Sequence, residues 1–129
     1  MTTPVVSKTK VLVIDDDELI RMALRVILQG ENCIVVEANN GNKGVAMFKQ
    51  ENPDIVITDI LMPDKEGLTT ISEIRACNAQ VKIVAMSGGG NTKNLSFLQM
   101  AQKVGADQTI NKPFKAGDIS ILLAGMLKK

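Results

Sequence analysis

Acidic side chains follow two of the apolar runs in this chain. Asp15 and Asp16 come directly after residues 11–14, and Asp59 comes shortly after residues 55–57. If the three carboxylates lie together, they repel one another and the pKa of at least one is raised, unless a cation sits among them. Oxygen ligands without a nearby His or Cys favour Mg²⁺ or Mn²⁺ over zinc or copper. The acidic residues therefore predict a site for a hard divalent ion.

A hydroxyl and an ammonium follow two later apolar runs. Ser87 comes after residues 81–86 and before the glycines 88–90, and Lys112 comes after a weaker run near Ile110. An Asp can act as a nucleophile by forming an acyl phosphate, while a metal ion, an ammonium and a hydroxyl neutralise and bind the phosphoryl oxygens. Together these residue types predict a site for phosphoryl transfer.

Each of these residues also has an ordinary structural interpretation. An Asp at a strand end is commonly a turn residue or a helix cap. Taken alone, Ser87 would be a turn residue before a flexible glycine run, and Lys112 would be a solvated cation. Their joint occurrence after four different apolar runs argues against chance.

The apolar runs themselves are spaced as the strands of one sheet. They cover residues 11–14, 34–36, 55–57 and 81–86, with a weaker run at residues 109–110. Nearly unbroken runs rich in Val and Ile are typical of strands buried on both faces of a parallel sheet. Ligands of open α/β sheets bind beyond the carboxyl ends of the strands. Such a sheet would bring the acidic, hydroxyl and ammonium groups to one edge.

Between the runs, apolar residues recur with the period of amphipathic helices. Asp17 can cap the first helix and Gly30 follows it, while Asn40 or Asn42 can open the second, which ends before Pro53. The apolar stripe of the first helix is Ile20, Ala23, Leu24, Ile27 and Leu28, and that of the third is Leu68, Ile71 and Ile74. A fourth helix has Leu95, Leu98 and Ala101 and ends at Gly105. The stripe of the fifth helix is Ile119, Leu122, Leu123, Met126 and Leu127. The pattern predicts an α/β fold of (βα)₅ type with right-handed crossovers.

The composition excludes several functional classes. A chain of 129 residues is about one domain long, and 15 basic against 14 acidic residues provide no basic field for nucleic acid. Residues 1–10 lack the apolar core of a signal peptide, and no stretch approaches the roughly 20 apolar residues of a membrane span. Cys33 and Cys77 form no C-x-x-C pair and the chain has no His, which excludes Cys/His zinc sites. We expect a cytoplasmic protein with two reduced thiols and no nucleic-acid or membrane partner.

Four motifs in this order carry a family resemblance. They are residues 11–17 (VLVIDDD), residues 53–64 (PDIVITDILMPD) with Gly67, residues 85–88 (AMSG) and residues 112–114 (KPF). With them, the chain resembles the receiver domains of bacterial two-component response regulators along its whole folded length. The resemblance implies a doubly wound, flavodoxin-like, five-stranded parallel sheet of order 2-1-3-4-5, an order known for this family.

The resemblance also implies a ligand set for the metal. Asp59 would be the phosphoacceptor, Asp16 a direct ligand of Mg²⁺, and Asp15 a ligand mainly through bound water. Leu61 would contribute its backbone carbonyl. Mn²⁺ is the alternative ion.

Ser87 and Lys112 would act on the phosphoryl group itself. By resemblance, Ser87 is the hydroxyl that moves toward the phosphoryl group, and Lys112 is the cation that pairs with it, in a cis bond to Pro113. One position departs from the family: receivers commonly have a Tyr or Phe three residues before this Lys, and here it is Thr109. Rotation of an aromatic ring therefore cannot be the readout of phosphorylation.

As a receiver, the chain would be a signalling phosphoacceptor and not an enzyme, apart from self-catalysed phosphotransfer and slow autodephosphorylation. Its phosphodonor would be a histidine kinase or a histidine phosphotransfer protein, and its downstream target an unidentified protein. We expect residues 1–9 to be a short N-terminal extension and residues 10–129 to be the receiver domain.

Four alternatives remain at this point. A phosphatase of the haloacid-dehalogenase type uses D-x-D, but Leu61 stands two residues after Asp59. A nucleotide-binding fold could use residues 87–90, although neither G-x-G-x-x-G nor G-x-x-x-x-G-K-[ST] occurs. The chain could also be a receiver-like module that is never phosphorylated. The acidic residues argue against this alternative, because no packing reason requires buried like charges. The chain could also be part of a larger protein, although the initiating Met and the end after the fifth helix favour a stand-alone receiver.

Overall fold

The computed structural model describes residues 8–60, 67–88 and 99–127. Their strands are β1 (Lys10–Ile14), β2 (Ile34–Ala38), β3 (Ile55–Asp59), β4 (Lys82–Gly88) and β5 (Gln108–Lys112). All neighbouring strands are parallel, and the sheet has the order β2-β1-β3-β4-β5. The predicted doubly wound sheet is confirmed.

Helices cover both faces of this sheet. They are α1 (Glu18–Gly30), α2 (Gly41–Glu51), α3 (Gly67–Cys77), α4, which is described over residues 99–104, and α5 (Ala116–Leu127). None of these helices, within the part of the chain that the structure describes, is both long and apolar enough to cross a membrane.

Alternate residues of the inner strands supply two separate cores. On β1, Leu12 and Ile14 join the core beneath α2, α3 and α4, whereas Val11 and Val13 join the core beneath α1 and α5. Strands β1 and β3 and most of β4 are buried on both faces, which explains their unbroken apolar runs. The site at the strand ends therefore lies on a rigid, fully packed platform.

The helix boundaries follow their caps. The Asp17 side chain accepts a hydrogen bond from the Leu19 amide, as predicted, and Asn40 caps α2 by accepting from the Lys43 amide. The prediction that Gly30 follows the first helix is wrong, because Gly30 is the last residue of α1. The left-handed residue after that helix is Asn32, with φ of 64°, a conformation that Asn tolerates better than most residues.

Most predicted apolar stripes face the cores. Leu24 and Leu28 of α1 are fully buried, as are Ile71 and Ile74 of α3, and Ala101 is buried in α4. In α5, Ile119 is fully buried and Leu123 nearly so. Leu95 and Leu98, predicted to open the fourth helix, lie outside the described residues, and so does the side chain of Leu127.

Gly67 begins α3 at a point of close approach between two backbones. A Cβ atom at this position would overlap the backbone oxygen of Asp59 and the Cα atom of Ile60. The Gly67 amide also donates a hydrogen bond of 3.1 Å to the Ile60 carbonyl. The end of β3 and the start of α3 can therefore be this close only with glycine at position 67.

We expect Gly67→Ala to lower the free energy of unfolding by about 2–3 kcal/mol, since rigid backbone must move to admit the methyl group. Gly125→Ala is the matched control, because a Cβ at Gly125 in α5 meets nothing within 4 Å. That control should leave stability unchanged or raise it by up to about 1 kcal/mol. Urea denaturation followed by circular dichroism measures both, and equal effects would contradict the close approach.

Candidate functional site

The predicted site residues meet at the carboxyl edge of the sheet. Asp15 directly follows β1, Asp59 is the last residue of β3, and Lys112 is the last residue of β5. Ser87 lies near the end of β4, where its neighbour Met86 pairs with Asp59 and Ser87 itself pairs with Asn111. Parallel register therefore brings groups from four strands to one place.

Three carboxylates form a tight acidic cluster there. One carboxylate oxygen from each of Asp15, Asp16 and Asp59 lies within 4.8 Å of the other two. Asp15 is fully buried and Asp59 is 6% exposed, whereas Asp16 is exposed. Like charges this close destabilise one another, and a hard divalent cation suits a donor set of oxygens alone.

Lys112 reaches into this cluster. Its Nζ atom lies 2.7 Å from Asp15 Oδ2 and 3.4 Å from Asp59 Oδ2, and its own side chain is largely buried. The pair between Lys112 and Asp15 joins residues 97 positions apart in the sequence. No local sequence signal could have identified this pairing in advance.

The electrostatics of the pair follow from its burial. Burial raises the pKa of the Asp15 carboxyl above its ordinary value, although the hydrogen bonds from Lys112 and from the Asp17 amide oppose that rise. Burial also acts to lower the pKa of Lys112, but the hydrogen bond to Asp15 and the charge of Asp59 outweigh it, and the pKa is raised. Lys112 is thus a firmly protonated cation at the centre of the site.

Ser87 carries an unpaired hydroxyl. Its side chain is fully buried, and its Oγ atom has no hydrogen-bond partner among the described residues. A buried hydroxyl without a partner costs about 1–3 kcal/mol, so such groups are usually satisfied. This hydroxyl is therefore able to donate a hydrogen bond to a group that enters the site.

Leu61, the glycine run, the bond before Pro113 and Thr109 were also singled out from the sequence. Leu61, predicted to donate a backbone carbonyl to the metal, lies outside the described residues, as do residues 89 and 90 of the glycine run. The peptide bond between Lys112 and Pro113 is cis, as the family resemblance implied. Thr109 is half-buried on the edge strand β5, where it pairs with Ala85 of β4.

Comparison with known proteins identifies the family. The sequence model of one protein family, the response regulator receiver domain, matches residues 11–124 of this chain. This chain belongs to that family. Receiver domains are signalling phosphoacceptors of two-component systems and not classical enzymes. The match removes the phosphatase and nucleotide-binding alternatives.

Several known receivers are similar over nearly the whole chain. The chemotaxis protein CheY of Halobacterium salinarum is 36% identical over 118 residues, which cover 92% of this chain and 96% of that protein. CheY of Bacillus subtilis is 36% identical over 108 residues, covering 83% and 88% of the two chains. The crystal structure of a CheY-like receiver domain protein from Methanospirillum hungatei is 26% identical, covers 92% of this chain and 93% of that one, and has a TM-score of 0.83.

We expect Lys112→Met to lower the free energy of unfolding at pH 7.5 by about 3 kcal/mol, because the buried Asp15 carboxylate loses its cation. The loss should shrink as the pH is lowered. Asp15 has a raised pKa in the fold, so it takes up a proton at a higher pH than an ordinary Asp, and its protonated form needs no cation. Urea denaturation at a series of pH values measures this, and a pH-independent loss would contradict the role of Asp15.

Proposed function

We propose that Asp59 accepts a phosphoryl group from a histidine kinase or a histidine phosphotransfer protein, and that the phosphorylated chain binds a downstream protein differently. One observation carries the proposal. Three carboxylates, the Lys112 ammonium and the unpaired Ser87 hydroxyl converge at one edge of the sheet. We also propose that residues 10–129 form the receiver domain and that residues 1–9 are a short extension of it.

Asp59 is the favoured nucleophile among the three acidic residues. Asp15 is fully buried and its carboxylate holds Lys112 through Oδ2, whereas part of Asp59 reaches the surface. Asp16 is on the exposed side of the cluster. Asp59 ends the central strand, between the acidic residues after β1 and Ser87 on β4.

The proposed transfer forms one bond and breaks another. A carboxylate oxygen of Asp59 attacks the phosphorus of the donor's phosphohistidine, the P–N bond breaks, and the imidazole leaves. Lys112 donates a hydrogen bond to one phosphoryl oxygen and Ser87 donates one to another. Slow autodephosphorylation follows when water attacks the same phosphorus, which releases inorganic phosphate and restores the carboxylate.

The donor set also fits a divalent ion. We propose that Asp15, Asp16, Asp59 and the backbone carbonyl of Leu61 hold Mg²⁺, with Mn²⁺ as a substitute, and that Asp15 acts mainly through water. When bound, the ion neutralises charge on the phosphoryl oxygens. The close approach of the three carboxylates supports this assignment, because it is unfavourable without a cation.

Acetyl phosphate with Mg²⁺ should label Asp59, and Asp59→Asn should abolish the label. Asp54→Asn is the matched control, because Asp54 precedes the opposite end of the same strand and should leave labelling intact. Mass spectrometry measures the reaction as an acid-labile adduct of about 80 Da, since a phosphoryl group replaces a proton. A label that survives in Asp59→Asn would place the nucleophile elsewhere, and no label in any variant would favour a receiver-like module that is never phosphorylated.

Asp16→Asn and Asp59→Asn should each stabilise the metal-free protein, by about 0.5–2 kcal/mol, because each relieves repulsion within the cluster. Both variants should lose the increase in Tm that Mg²⁺ gives to the unsubstituted chain. Thermal unfolding at increasing Mg²⁺ concentration measures both effects. An undiminished Mg²⁺ response in both variants would contradict the ligand assignment.

A further inference from the structure

Arg21 contacts the backbone of the acidic cluster from outside the site. It is the fourth residue of α1, and its Nη1 atom donates a hydrogen bond of 2.8 Å to the backbone oxygen of Asp15. That oxygen lies just beyond Ile14, where the ladders from β1 to its two neighbours end. Arg21 therefore supplies the hydrogen bond that the sheet no longer provides at this position.

Glu37 of β2 holds the guanidinium in place. Arg21 Nε lies 3.3 Å from Glu37 Oε1, while Glu37 Oε2 accepts a hydrogen bond of 2.8 Å from Arg25. The side chain of Arg21 is only 16% exposed. A planar guanidinium that is largely buried and shared between a carboxylate and a carbonyl has little freedom to move.

The hydrogen bond from Arg21 to the Asp15 carbonyl also constrains the next residue, Asp16. The carbonyl that Arg21 holds belongs to the peptide unit joining Asp15 to Asp16, and a planar peptide rotates as one body. The orientation of this unit sets the direction in which Asp16 projects its carboxylate. That side chain is exposed, and among the described residues no hydrogen bond fixes it. The backbone is therefore the part of the structure that directs this side chain toward the cluster.

We propose that Arg21 is a positioning residue for the metal site: by fixing the peptide between Asp15 and Asp16, it holds the Asp16 carboxylate where it can bind a divalent cation. Glu37 acts through Arg21. This inference rests on the proposed function, since it assumes that Asp16 is a metal ligand. Groups that orient metal ligands typically change metal affinity about 10- to 100-fold when they are removed.

Arg25 provides a matched control for Arg21. It lies one turn further along α1 and pairs with the same Glu37, but the structure gives it no hydrogen bond to Asp15. Arg21→Met and Arg25→Met remove the same charge from the same helix. Only the first frees the carbonyl of Asp15.

Titration of the full chain with Mn²⁺, with the free ion measured by electron paramagnetic resonance, tests the inference. We expect Arg21→Met to weaken Mn²⁺ binding about ten-fold and Arg25→Met to leave it within about two-fold of the unsubstituted chain. Urea denaturation of both variants separates stability from affinity. Equal affinities in the two variants would overturn the inference, whereas failure of the unsubstituted chain to bind Mn²⁺ or Mg²⁺ would overturn the proposed metal site itself.

If Arg21→Met does not fold, Arg21→Lys tests the positioning role of Arg21 instead. Lysine keeps the charge beside Glu37 but lacks the planar guanidinium, whose N–H groups contact the Glu37 carboxylate and the Asp15 carbonyl at the same time. We expect this variant to fold and to bind Mn²⁺ a few-fold more weakly than the unsubstituted chain. Unchanged affinity in Arg21→Lys would also overturn the inference.

Discussion

The arrangement of the site depends on one interaction, the pairing of Lys112 with the buried carboxylate of Asp15. A fully buried carboxylate is costly unless a cation offsets its charge, and the 2.7 Å contact with Lys112 supplies that cation. The same ammonium is 3.4 Å from Asp59, so two acidic groups share one cation. Three carboxylates against one ammonium leave the cluster two positive charges short, and this deficit makes it receptive to a divalent ion.

Much of the fold was predictable because its strongest signals are local. The Val- and Ile-rich runs gave strand positions, and the apolar stripes identified the helices that cover them. The end of the first helix was predicted wrongly because a glycine commonly follows the last residue of a helix. Here Gly30 is still helical, and the residue with the left-handed backbone conformation is Asn32. A glycine compatible with helical geometry does not by itself end a helix. Three-dimensional context decides such boundaries.

The residue types of the site were also predictable, but their pairings were not. Sequence motifs identified Asp59, Ser87 and Lys112, since the ends of parallel strands meet at one edge. The burial of Ser87 and the salt bridge across 97 positions depend on register and side-chain direction, which no local pattern encodes. Arg21 gave no signal at all, because a basic residue on an amphipathic helix is normally assigned to solvent.

The contact between Lys112 and Asp15 also bears on how the molecule folds. Strands β1 and β5 are not neighbours in the sheet, because β3 and β4 lie between them. In the folded sheet the ammonium reaches its carboxylate across two intervening strands, and closing a loop of this length costs conformational entropy. A chain that has folded only in part has no complete site. The complete site thus forms together with the finished tertiary structure, so an incompletely folded chain lacks the full set of residues that the proposed phosphoryl transfer needs.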